Sequence, residues 1–504
     1  MTKRDLREGI PASELADGAM IAGVVGEEDV LLARNGDEIF AVAAHCTHYH
    51  GPLAEGLLVG DTVRCPWHHA CFNLRTGSAE RAPAMRPLRV FATSRDGDLI
   101  RVGDEITPAA PKPAGSEHIA IIGAGAAGAF AAWELRRLGF AGRVTLLTRD
   151  DRLPFDKPNL SKDYLAGRAP AEWIPLREES EYASAEIDLR LGTAVEGIDT
   201  TQRAIRLANG ETLAYDRLIL ATGASPRHLD IPIDPLARVH YLRTWSDADA
   251  LRDATENAKD VVVIGASFIG LEAAASLRER GINVTVIGRE ERPLEKVLGR
   301  EVGDFIRRTH ESHGVRFRLG RAPREIRNRA VILDDGTAEA CDVVIAGVGV
   351  APELALAERA GLAIDRGVVV DEYLRTSAPD VFAAGDIARF AGVRIEHWVV
   401  AGRQGQTAAR NAMGLAEKFT SVPFFWSQHY DLVLAYVGHA ENAENVEIFG
   451  SFDDHNAAAV YRENGCIAAV VTLFRDDISL AVEAAMERKE SDDAMLAMIR
   501  NASS

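Results

Sequence analysis

The sequence predicts a chain of several domains: an all-β domain first, then an α/β body, then a small α+β domain at the C-terminus. Three observations predict it. Residues 1–106 carry short apolar runs separated by turn dipeptides. Two stretches, HIAIIGAGAAGAFAAWELRRLG from His118 and VVVIGASFIGLEAAASLRERG from Val261, each pass from a β-branched strand through glycines into an alanine-rich helix. Each then reaches a further strand, VTLLT and VTVIG, so a βαβ opening occurs twice. The segment from about Val422 mixes the two patterns.

In the first domain, Val30–Arg34 and Glu38–Ala43 flank Asn35-Gly36, a dipeptide suited to a tight hairpin. Arg95-Asp96-Gly97-Asp98 is a second turn signal. TPAAPKPAGS, from Thr107 to Ser116, is rich in proline, alanine and glycine and reads as a semi-extended linker that lets the first domain dock or swing. The chain has 504 residues, 47% hydrophobic and 26% charged, an ordinary globular composition. Its formal net charge of -18 argues against nucleic acid, whose phosphates it would repel. The longest apolar stretch, Ile119 to about Trp133, is too short to span a membrane. The N-terminal residues lack an apolar core and a cleavage signal, so no secretory peptide is expected. Five scattered cysteines do not make a disulfide framework and point to a reducing, cytoplasmic setting.

In the first unit, Gly123, Gly125 and Gly128 fit G-x-G-x-x-G directly after a strand. The first glycine makes the tight turn, the second lets backbone approach a pyrophosphate, and the third lets helix pack on strand. The helix N-terminus offers N–H groups to phosphate. Asp150 stands where a carboxylate can bond a ribose hydroxyl. Thr222 and Gly223 in LILATGA make a similar strand-to-glycine turn. Gly385 and Asp386 in VFAAGDIA suit a carboxylate that bonds a ribityl hydroxyl of FAD.

In the second unit, Gly265 and Gly270 fit the fingerprint, but Ser267 replaces the middle glycine and its Cβ is expected to crowd a pyrophosphate. Gly288 holds the usual place of the ribose-binding acid, followed by Arg289 and Glu290. The arginine suits a 2′-phosphate and the glutamate a 2′-hydroxyl, so NADH and NADPH both stay open.

Two Cys-His pairs remain: Cys46-x-His48 and Cys65-x-x-His68. Thiolate and imidazole are ligands for zinc and for iron–sulfur clusters. A Rieske [2Fe–2S] centre takes two cysteines on one iron and two histidines on the other, one of each from each loop. A Cys2His2 zinc site usually pairs like with like in sequence, whereas these pairs are mixed. A purely structural role is the third reading. His45, His50 and His69 read as neighbours, and Cys71 as a packing residue.

On CTHYHGPL, CPWHHACFNLRTG, GAGAAG, LPFDKPNLSKDYLAG, ATGASPR, GASFIGLEAA, VFAAGDIA, EHW and PFFWSQHYD, the chain resembles apoptosis-inducing-factor-like flavoproteins with an N-terminal Rieske domain. These are relatives of the ferredoxin reductases that serve oxygenases and cytochromes P450. The resemblance implies a Rieske domain over 1–106, a linker over 107–116, an FAD domain over 117–238 and 366–421, an NAD(P) domain over 239–365, and a C-terminal domain over 422–504. It implies that Lys157 and Lys162 line the flavin, that Glu272 pairs with Lys162 at the nicotinamide pocket, and that the helix after Glu396-His397-Trp398 aims its positive end at the flavin. Trp426 is implied at the electron-exit face. Gly51 and Trp67 stand where respiratory Rieske domains place a disulfide, which suggests the ferredoxin-like subclass. NLSKDYL lacks the cysteine of flavin disulfide reductases, so thiol chemistry there is not expected. The resulting expectation is an oxidoreductase that passes electrons from NAD(P)H through FAD and the cluster to a redox protein or a small acceptor. A redox sensor and an oxygen-reducing NADH oxidase are the alternatives.

Overall fold

The computed structural model describes residues 4–441 and 445–501. The N-terminal part is all-β. A six-stranded antiparallel sheet contains the hairpin of Glu28–Asn35 and Glu38–Ala43, closed at Asn35↔Glu38. Gly36 takes φ +61°, as that turn requires. A four-stranded sheet, Leu57–Val59, Thr62–Arg64, Cys71–Asn73 and Ala79–Arg81, packs beside it. Leu31, Val42, Leu53, Val63 and Phe72 are buried in the core that the two sheets share.

Residues 107–113 have no regular structure. Ala114 is tied to the next domain: its amide donates to the Gly139 carbonyl (2.9 Å) and its carbonyl accepts from Ala141 (2.8 Å).

The α/β body holds two parallel five-stranded sheets. The first runs in the order Ile187–Arg190, Arg143–Leu147, His118–Ile122, Arg217–Leu220, Val381–Ala383. Its last strand comes from far along the chain, past the whole second unit. The second runs Val239–His240, Val343–Ala346, Asp260–Ile264, Asn283–Gly288, Arg316–Leu319. Their strands are nearly continuous runs of Val, Ile and Leu because helices cover parallel sheets on both faces. Each unit also carries a small three-stranded antiparallel sheet, 195–214 and 323–340, so the internal repeat extends beyond the glycine motifs.

The C-terminal part is a five-stranded antiparallel sheet in the order Phe424–His429, Leu432–Gly438, Cys466–Leu473, Asn456–Glu463, Val446–Ser451, backed by helices Asp476–Glu487 and Asp492–Asn501. The buried helix Trp398–Ala412 lies between this part and the first Rossmann unit. Among the described residues no helix is long and apolar enough to cross a membrane.

Candidate active site and cluster-binding loops

Two loops of the N-terminal domain bring the four predicted ligands together, and both are built alike. In one, the Cys46 amide donates to the Gly51 carbonyl and the His50 amide to the Cys46 carbonyl, both at 2.9 Å. In the other, the Cys65 amide donates to Ala70 (2.8 Å) and the His69 amide to Cys65 (3.1 Å). His50 and His69 close the two turns with φ of +61° and +58°.

The donors pair by type. The Cys46 and Cys65 thiols share a hydrogen bond, which together with burial holds Cys46 well above its usual pKa. The Nδ1 atoms of His48 and His68 lie 3.2 Å apart. Burial pushes His48 down to about 3 and His68 also well down, so both rings are neutral and offer lone pairs. A single zinc ion would need four donors around one point. Among the described residues no three His, Cys, Asp or Glu are so arranged. Sulfur beside sulfur and nitrogen beside nitrogen suits two irons, one on each pair. A Cβ on Gly51 would stand 2.8 Å from Cys65 Sγ, so no side chain fits there without displacing that sulfur. No disulfide joins any of the five cysteines.

A cavity of about 680 Å³ runs between the two Rossmann units. Gly125, Asp150, Lys157, Lys162, Thr222, Gly223, Gly270, Glu272, Gly385, Asp386, Trp398 and Trp426 line it. The glycine turn fits a pyrophosphate. A Cβ on Gly125 would meet nothing within 4 Å, leaving the backbone open to a ligand, whereas a Cβ on Gly128 would stand 1.8 Å from the Gly123 carbonyl. Gly123 itself takes φ +101° against Ala221. The donor set and the open cradle therefore fit FAD and a second dinucleotide.

Lys162 and Glu272 are buried and joined at 2.8 Å. Ser161 Oγ (2.6 Å) and Ser427 Oγ (2.7 Å) also donate to Glu272. Burial would raise the carboxyl, but Lys162 and these donors outweigh it and hold it below its usual range. Asp386 accepts from Arg243 at 2.6 Å. Burial beside Arg243 lowers Lys157 to about 7.

Ser267 Oγ accepts from the Gly270 amide (3.3 Å) and donates to the Gly347 carbonyl (2.9 Å), so it caps the helix Phe268–Glu279. Arg289 is exposed and stands outside the cavity lining, as does Gly265, which makes the turn against Gly347 with φ +110°.

The loops and the cavity meet. The Trp426 ring lies 4.1 Å from that of His68 and 6.0 Å from that of His48. Tyr49 stacks on His48 and donates to Asp156. His69, read as a bystander, is wholly buried and binds Glu483 (3.0 Å) and Ser479 (3.2 Å) of the C-terminal part. Glu483, Ser479 and Arg403 carry no local motif and stand hundreds of residues from His69, so no sequence signal pointed to them.

This architecture defines a class: a flavoprotein with two dinucleotide-binding units and a Rieske domain docked on it. Residues 117–405 match the pyridine nucleotide-disulphide oxidoreductase family and residues 8–92 the Rieske [2Fe-2S] domain, and the chain belongs to that family with that domain at its N-terminus. It is 31% identical to apoptosis-inducing factor 3 of Homo sapiens over 92% of this chain and 81% of that one. It is 38% identical to rhodocoxin reductase of Rhodococcus erythropolis over 66% of this chain and 81% of that one. The ferredoxin reductase for the CYP199A2 system of Rhodopseudomonas palustris superposes with a TM-score of 0.72 at 33% identity, covering 75% of this chain and 96% of that one. The chain is accordingly an FAD- and NAD(P)H-dependent oxidoreductase of the ferredoxin-reductase type, carrying a Rieske [2Fe–2S] centre.

Proposed function

We propose that electrons pass in one direction, from NAD(P)H at the second Rossmann unit to FAD in the first, then to the docked cluster, then to an external redox protein or small acceptor. Bound FAD would supply the exchange between a hydride and single electrons, and a bound [2Fe–2S] cluster would supply a single-electron acceptor. The residues supply order and distance. Gly123, Gly125 and the following helix would seat the FAD pyrophosphate, with Asp150 and Asp386 on its hydroxyls. Lys162 and Glu272 would hold the reacting edge. Cys46, Cys65, His48 and His68 would hold the cluster.

The observation that carries the reading is Trp426, which lines the cavity and also touches both cluster histidines. One aromatic ring thus spans the gap between the two proposed redox sites. Fusion and docking keep the acceptor beside the flavin at high effective concentration. No disulfide joins the cysteines, which agrees with a reducing compartment, and we place the protein in the cytoplasm.

Stopped-flow spectroscopy tests the order. Flavin absorbance should bleach first on adding NADH or NADPH, and the cluster bands second. In Cys46→Ser the cluster bands should vanish while flavin bleaching persists. Loss of both together would refute the relay. Peroxide as the main product in the intact protein would favour an oxidase, and a single slow reduction without turnover a sensor.

A further inference from the structure

A line of hydrogen bonds leaves the cavity wall. It starts at Glu272, which lines the cavity. Ser427 Oγ donates to Glu272 Oε1 at 2.7 Å and lies 3.2 Å from His429 Nε2. His429 Nδ1 lies 3.1 Å from His310 Nε2, and His310 Nδ1 lies 3.4 Å from the Tyr430 hydroxyl. Ser427, His429 and His310 are 1%, 2% and 0% exposed. Tyr430 stacks under the exposed ring of His313, with centroids 3.6 Å apart and planes at 10°.

We propose that Ser427, His429, His310 and Tyr430 form a proton relay between Glu272 and the protein surface at His313. This deepens the proposed route and rests on its placement of the flavin beside Lys162 and Glu272. The route itself requires such a path. A flavin that has received a hydride holds two electrons and one proton more than the oxidised ring. Two single-electron steps reduce two acceptor centres in turn and leave that proton behind. It must leave a cavity wall on which Lys162 and Glu272 are almost wholly buried.

The chemistry of the chain fixes its resting direction. A carboxylate only accepts, so the Ser427 hydroxyl donates to it and accepts from His429. His429 then carries its proton on Nε2 and accepts on Nδ1 from His310 Nε2–H. His310 Nδ1 in turn accepts from Tyr430. Each group thus has one N–H or O–H and one lone pair along a single line. In this resting order every proton faces Glu272, so an outward step begins with the two hydroxyls turning and both rings moving their proton to Nδ1; Glu272 then gives the flavin proton to Ser427, Ser427 its own to His429 Nε2, His429 its Nδ1 proton to His310 Nε2, His310 its Nδ1 proton to Tyr430, and Tyr430 its own to water, which restores the resting order. The charged and titratable groups facing this line are Lys162 at its inner end and His313, Arg278 and Glu279 at its outer end. Burial depresses the pKa of both histidines, so both rest neutral, as a two-way relay needs.

Two measurements test the relay. Nitrogen NMR of 15N-histidine-labelled protein should show His310 and His429 neutral at pH 7 with the proton on Nε2. A cationic ring, or a proton on Nδ1 of either at rest, would overturn the assignment. In the second, the flavin of the holoenzyme is photoreduced with EDTA as electron donor, without nicotinamide, and mixed with ferricyanide, which takes one electron per ion and no proton. Flavin reoxidation should be slower in D2O than in H2O. His429→Leu should slow it by about tenfold or more and remove the D2O difference. Ser427→Ala, a smaller change in the same line, should act in the same sense. Reoxidation at wild-type rates in both variants, with no D2O effect in the wild type, would overturn the relay. Because EDTA and not nicotinamide supplies the electrons, that result would stand even if the nicotinamide route were wrong.

Discussion

Glu483 Oε1 accepts from Arg403 Nη1 at 2.6 Å, and both side chains are shut away from solvent. The other carboxylate oxygen accepts from His69 Nδ1 at 3.0 Å, and Arg64 of the Rieske domain approaches it at 3.4 Å. One carboxylate from the C-terminal helix Asp476–Glu487 therefore joins the helix Trp398–Ala412 to the loop that carries Cys65 and His68. Burial would raise its pKa, but Arg403 and His69 outweigh that and hold it well below the carboxylate range.

Removing Glu483 leaves Arg403 and Arg64 buried with fewer partners. Glu483→Ala should destabilise the protein by about 3–5 kcal/mol and loosen the Rieske domain. Urea denaturation measures the first effect. Protease cutting within residues 107–113 measures the second and should become much faster. A variant with wild-type cutting and a wild-type urea midpoint would show that the docking does not depend on this carboxylate.

The ion pair of Lys162 and Glu272 makes a different prediction. Glu272→Leu strands a buried ammonium and should cost about 3 kcal/mol. The double change Lys162→Met/Glu272→Leu should recover most of that, because neither charge is then left alone. Thermal unfolding of the four proteins gives the coupling, and additive losses would contradict it.

Two glycines of one motif should fail in opposite ways. Gly125→Val adds its side chain into open space, so the protein should fold and lose FAD. Gly128→Val drives its Cβ into the Gly123 carbonyl, so folding itself should fail. Soluble yield and flavin content after purification separate the two outcomes.

The buried histidines set a pH limit on stability. Burial lowers His310 far below its usual range and His429 to about 4. The unfolded chain binds these protons near pH 6.5 while the folded chain refuses them. Stability is thus full above about pH 6.5 and falls as the pH drops toward the folded values. Between pH 6.5 and 5 His429 should cost about 1.5 kcal/mol, and His310 acts in the same direction. Urea midpoints followed by circular dichroism should show this, and His310→Gln should flatten the slope. An equal slope in that variant would show that His310 titrates normally.

The local signals were accurate where the chemistry is local. Asn35-Gly36 closes a hairpin and the two glycine motifs open helices directly after strands. The two Cys-His pairs sit on loops with matching hydrogen bonds. Ser267 caps the helix Phe268–Glu279, a role that the glycine fingerprint does not announce. The role of His69 was not legible either, because its neighbours in sequence say nothing of Glu483.

The amino-acid order alone determined the two mixed Cys-His pairs, the repeated nucleotide units and their succession. Those follow from spacing within one loop or one strand-turn-helix, where each residue's position fixes that of the next few. Only the tertiary structure decided that the Rieske loops face the cavity through Trp426, that Glu483 anchors them, and that Ser427, His429, His310 and Tyr430 fall in line. Such contacts join residues far apart in the chain, and they form only when burial of separate apolar faces brings the domains together.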